Sequence, residues 1–218
     1  MPDLLDADKP TPRIRMGSWP RRLIKAIEDA STARTLVPKY DDMLTACLSA
    51  NDVKVVILAD SPYPDKAKAN GLAFGHKESY TGPLDPALLA INKEIHKSLG
   101  QMNGDRTLQS WRQQGVLLLN IALTTEHEKA GAHDDLGYRS ILASYITDLS
   151  MYKDDIVFML WGRNAQDMAD FIVVENRHLI LEAPLPTSKK FAGCNHFKLA
   201  NEFLHQHGHR AIQWGTCA

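Results

Sequence analysis

Four short apolar runs constrain this chain more than any other feature: Val53 to Leu58, Val116 to Ile121, Ile156 to Leu160 and Leu179 to Leu181. Each has strand length and almost no polar alternation, the pattern of a strand covered on both faces. Segments with helical spacing lie between and after them, at Pro86 to Leu99, Tyr138 to Ser150, Ala165 to Val173 and His196 to Gln206. Strands that alternate with helices return to the sheet through crossovers and pair in parallel. The expected fold is α/β, a three-layer α/β/α sandwich around a central parallel sheet. Upstream, Leu23, Ile24, Ala26 and Ile27 predict a helix from Trp19 to Leu36 that Pro38 ends, and Asp41 to Ala50 reads as a second, short helix.

Residues 1–17 hold three prolines and few large apolar side chains, so they are expected to form a loosely ordered arm, with 18–218 as one domain. A chain of 218 residues, 44% hydrophobic, is long enough to bury one substantial core. Its formal net charge of -1 advertises no polyanion partner, so any nucleic-acid affinity must come from local basic patches. Cys47, Cys194 and Cys217 show no C-x-x-C spacing, which argues against zinc or a disulfide framework and for a reducing, intracellular setting, cytoplasmic or nucleoid-associated. His205, His207 and His209 lie in a helix end and turn without acidic or cysteine companions in sequence, so no metal is assigned to them. No apolar run reaches membrane-spanning length, and the acidic, proline-containing start is unlike a signal peptide. A monomer without cofactors is expected.

In a parallel α/β sheet, ligands bind outside the carboxyl ends of the strands. Asp60 to Pro64 follows the first run, Asn120 closes the second, and Leu185 to Lys190 follows the last. The topology therefore directs these three segments to one place.

Ordered sequence blocks point to the same place. Ala59-Asp60-Ser61-Pro62-Tyr63-Pro64 is similar to a G-Q-D-P-Y-H loop, and Asn70-Gly71-Leu72-Ala73-Phe74 to H-G-L-x-F-S. Trp111 with Gln114 to Asn120 follows W-x-x-Q-G-V-L-L-L-N, and Val157 to Gln166 follows V-F-x-L-W-G-x-x-A-Q. Leu181 to Ser188 is similar to L-x-x-x-H-P-S-P, and Gly193-Cys194-Asn195-His196-Phe197 to G-C-x-H-F. In this order and spacing, the blocks resemble the uracil-DNA glycosylase family. The resemblance implies DNA as partner and an extruded base in a pocket. It places Asn120 where an amide reads the uracil edge, Phe74 where an aromatic ring stacks on the base, and Tyr63 where a tyrosine crowds C5. It also makes Thr187 and Ser188 candidates for phosphate hydrogen bonds, with Lys189 and Lys190 adding positive charge where the family carries an apolar wedge.

The catalytic positions depart from the family pattern. Where the family has a water-orienting aspartate this chain has Ser61, and where it has a histidine that donates to the departing base this chain has Leu185. Serine without a partner is no general base near pH 7, and leucine donates nothing. Asp60, one place before Ser61, is the first candidate for a replacement carboxylate, with Ser61 holding water; Asp65 reads as a turn residue. Two functions are compatible with this set. One is a glycosylase that excises a pyrimidine, uracil or a modified pyrimidine such as occurs in chemically modified phage DNA, in repair or defence. The other is a catalytically inactive relative that grips DNA or protein through the inherited surface.

Overall fold

The computed structural model describes residues 20–46, 52–173, 175 and 177–217. The expected arm at 1–17 lies outside them. Four strands, β2 (Val55–Ala59), β4 (Val116–Asn120), β6 (Val157–Trp161) and β7 (Leu179–Ala183), form a wholly parallel sheet in the order β4-β2-β6-β7. The side chains of β2, β4 and β6 are buried along their whole length, which is why they read as unbroken apolar runs. β7, one of the two edge strands, is partly exposed and carries Glu182.

Helices flank the sheet in a three-layer α/β/α arrangement. The long ones are α1 (Arg21–Thr32), α2 (Pro86–Leu99), α4 (Tyr138–Tyr152) and α6 (His196–Gln206); α3 (Gln109–Arg112) and α5 (Arg163–Gln166) are single turns. Asp85 caps α2 by accepting from the Ala87 amide at 3.0 Å, Pro86 occupies its first turn, and Gly100 ends it. Two small antiparallel pairs close the periphery: β1 (Leu36–Val37) with β5 (Thr125–Glu126), and β3 (Gln101–Met102) with β8 (Thr216–Cys217). Trp111 on α3 donates to the Trp214 carbonyl at 3.1 Å and tethers the C-terminal segment.

Three expected helices differ in the structure. The first stops at Thr32, and Leu36–Val37 pairs as a strand, because β-branched Val37 precedes a proline and is driven to extended backbone. In place of a helix from Asp41, a 3₁₀ turn covers Tyr40–Asp42; residues 47–50 lie outside the described residues. The helix expected over Ala165 to Val173 breaks into α5 and a 3₁₀ turn at Ala169–Phe171. Side chains of α4 take the backbone groups there: Thr147 donates to the Phe171 carbonyl at 2.9 Å and Ser150 accepts from the Val173 amide at 2.9 Å. Among the described residues no helix is long and apolar enough to cross a membrane.

Candidate active site

The carboxyl ends of β2 and β4 open onto a cavity of about 260 Å³, lined among others by Asp60, Ser61, Tyr63, Phe74, Asn120 and Leu185. The strand ladder continues into this floor. Ile121 N–H donates to Ala59 O at 2.8 Å and Ala122 N–H to Asp60 O at 2.9 Å, which fixes the backbone of Asp60 beside Asn120. Asn120 itself ends β4 opposite Ala59 and is 6% exposed.

Asp60 is the unusual group. Its Oδ1 is buried without a hydrogen-bond partner. Burial raises its pKa above the ordinary carboxylate value, the nearby charge of Asp134 raises it further, and a hydrogen bond from Asn164 opposes both. Leu185 lines the same cavity. At Gly162, with φ +99°, a Cβ would stand 2.7 Å from Leu185 Cδ2 and 3.5 Å from Asp60 Oδ1. Only glycine leaves room there for the Leu185 side chain. A partly desolvated carboxylate with one unsatisfied oxygen is suited to hold or take a proton.

The opposite wall is aromatic. Phe74 has a left-handed backbone, φ 65°, held by several contacts. Its carbonyl accepts from the Tyr63 hydroxyl at 3.3 Å, and its ring meets Trp161 at 5.5 Å between centroids. The preceding turn is fixed by Asn70, whose amide donates to the carbonyls of His76 and Thr107, both at 2.9 Å. Gly71 in that turn is obligatory, since with φ +89° an added Cβ would stand 2.0 Å from the Asp42 carbonyl oxygen.

Of the last loop, Leu185, Pro186 and Thr187 line the cavity. Ser188, Lys189 and Lys190 do not line it; they stand beside it on a 3₁₀ turn, Lys189–Phe191, that Ser188 caps by accepting from the Lys190 amide at 3.3 Å. Both lysines are exposed. Asp65 accepts from the Ala67 amide at 2.8 Å, a turn role. His207 and His209 face Asp155 at 3.8 and 3.5 Å. Among the described residues no group of three metal-ligating side chains converges.

Sequence reasoning thus assembled the strand-end residues and missed Asp85, Asn164 and Asp134. Asp85 lines the cavity, but before Pro86 it reads as a helix cap, which it also is. Asn164, on α5, and Asp134, in the turn before α4, act on Asp60 from far along the chain, and no spacing in the sequence signals them.

Known proteins resemble this chain in sequence and in fold. The sequence profile described as Uracil DNA glycosylase superfamily matches residues 48–205. A Uracil-DNA glycosylase of Yersinia enterocolitica is 37% identical over 194 residues, 85% of this chain and 84% of its own. One of Haemophilus influenzae is 38% identical over 192 residues, 84% of this chain and 86% of its own. In fold, the crystal structure of mimivirus uracil-DNA glycosylase superposes with a TM-score of 0.80 at 23% identity, covering 89% of this chain and 80% of that one. With its profile match spanning most of the chain and its relatives aligned over more than four-fifths of it, this protein belongs to the uracil DNA glycosylase superfamily.

Proposed function

We propose that this protein is a DNA glycosylase that hydrolyses the N-glycosidic bond of an extruded pyrimidine, with Asp60 as its working carboxylate. The observation that carries the reading is the buried, unpartnered Oδ1 of Asp60 on a cavity whose other walls are Tyr63, Phe74 and Asn120. The flipped base enters between Phe74, which stacks on it, and Asn120, whose amide pairs with its edge. Asp60 accepts the proton of the attacking water and opposes the positive charge that develops on the sugar. Ser61 holds that water by its hydroxyl. Thr187, Ser188, Lys189 and Lys190 face the backbone phosphates. The relatives named Uracil-DNA glycosylase support a pyrimidine substrate. Leu185 gives no hydrogen bond to the departing base, so uracil leaves with less assistance than a histidine would give. Incubation with uracil-containing and hypermodified phage DNA, followed by mass spectrometry of released bases and detection of abasic sites, tests this. Free pyrimidine and matching abasic sites are expected.

One observation favours a second reading, an inactive relative that grips DNA: the Leu185 methyl group and the Asp60 carboxylate share the space over Gly162, which leaves Asp60 partly covered. That reading requires no base released from any DNA, and binding that depends on Lys189 and Lys190 but not on Asn120.

A further inference from the structure

The amino ends of β2 and β4 carry a second cleft, of about 460 Å³, at the end of the sheet opposite the base cavity. One strand length, roughly 16 Å, separates the two. Lys54, Arg112 and Arg210 line the cleft, with Asp52 as its one carboxylate. Among the described residues no acidic side chain stands within ion-pairing distance of any of these three cations. In a chain of formal net charge -1 they are a local concentration of charge and not an overall surplus. Each cation is held there by a separate constraint. Lys54 N–H donates to Gly115 O at 2.9 Å and its carbonyl accepts from Val157 N–H at 3.0 Å, which fixes the lysine at the edge of the sheet. Gly115, with φ +96°, lines the cleft beside it, where an added Cβ would stand 2.1 Å from the Asp52 carbonyl oxygen. Half-buried Arg112 donates from Nε to the Thr45 carbonyl at 2.8 Å, so its plane is set while its terminal nitrogens make no hydrogen bond among the described residues. The segment after Arg210 is tied down by Gln114 and Asn201, whose side-chain oxygens accept from the Gln213 amide at 2.7 Å and the Ile212 amide at 2.9 Å.

We propose that this cleft binds a phosphate-bearing small molecule, with a diphosphate group held between Lys54, Arg112 and Arg210. A guanidinium whose terminal nitrogens are free presents parallel N–H donors to phosphate oxygens, and an ammonium adds a movable point charge. Asp52 repels the ligand as a like charge and limits its affinity. A concavity of this size admits a compact anion and not a duplex, and DNA drawn to the base cavity lies at the other end of the sheet. The site does not depend on the glycosylase reading.

The test is isothermal titration calorimetry of the full chain in low-salt buffer with orthophosphate, pyrophosphate and ADP. Pyrophosphate is expected to bind with a Kd near or below about 1 mM, and orthophosphate, with fewer oxygens to share among three cations, more weakly. Lys54→Met, which keeps the stem, and Arg112→Lys, which keeps the charge and loses the fork, are each expected to weaken pyrophosphate by about tenfold, the worth of a hydrogen bond to a charged group. Asp52→Asn is expected to tighten it. Lys93→Met removes an exposed lysine outside the cleft and is expected to leave it unchanged. Should Arg112→Lys fail to fold, Lys54→Met and Asp52→Asn decide. ADP binding no tighter than pyrophosphate assigns the site to the phosphates alone, and tighter binding extends it to the nucleoside; both support it. No binding of pyrophosphate at about 10 mM, or equal weakening by Lys93→Met and Lys54→Met, overturns the site and leaves only general charge attraction. If pyrophosphate does not bind while Lys54→Met lowers duplex affinity in fluorescence anisotropy, the cleft serves the DNA backbone and the proposal falls.

Discussion

Neighbouring residues at a strand end point to opposite sides, so a carboxylate at Asp60 in place of one at Ser61 faces a different wall. Here that wall is Gly162 and Leu185. Asp60→Asn is expected to lower base release about 10² to 10⁴-fold, the usual worth of a positioned acid or base, with DNA affinity retained. The same variant bears on stability. The folded-state pKa of Asp60 is raised, so its favourable contribution is complete below the ordinary value of 3.8 and is lost as pH rises through the folded value. Asp60→Asn is therefore expected to melt higher than the native protein at neutral pH, with the gain shrinking in acid; thermal melts from pH 3 to 8 check it. Asn164→Ala removes the one influence that lowers this pKa, and the acid limb of the pH-rate profile is expected to move to higher pH. Leu185→His combined with Ser61→Asp restores a donor and a carboxylate at the family positions. Uracil release is expected to rise, the donor alone supplying about 2.7 to 4 kcal/mol of barrier if the geometry is met.

The turn before α6 shows how an element far from the chemistry shapes the pocket. Buried Glu94 on α2 accepts from the Gly193 amide at 2.5 Å and the Asn195 amide at 2.9 Å, which seats His196 at the start of α6. His196 Nδ1 accepts from the Trp161 indole at 3.0 Å, and burial pushes its pKa down to about 4, so the ring stays neutral as this bond requires. Trp161 in turn packs against Phe74. Glu94→Ala orphans two backbone donors and is expected to cost about 2 to 6 kcal/mol in denaturant unfolding, at roughly 1 to 3 kcal/mol per orphaned group. A change below about 0.5 kcal/mol would show that Glu94 holds nothing. None of this was legible in the sequence, where Glu94 is the single acid of an amphipathic helix. The helices themselves were legible where periodicity was long, as in α2 and α6. They were not at Ala165 to Val173, where side chains of α4 captured the backbone.

At the scale of the whole molecule, the sheet could be read because strands buried on both faces leave continuous apolar runs, and the site because parallel topology gathers their carboxyl ends. Topology directed the segments and the family resemblance singled out Asp60, Ser61, Asn120 and Leu185 within them; all four line one cavity. Asp85, Asn164 and Asp134 were not, since each reaches the site by a tertiary approach that leaves no local spacing. The near-neutral net charge likewise says little about DNA. The measurement closest to the central claim compares native protein with Asp60→Asn on the same pyrimidine-modified duplex, reading single-turnover base release and DNA affinity together. Release reduced at least about a hundredfold at unchanged affinity is the result this account requires. Equal release by the two proteins would contradict it and remove Asp60 from the reaction.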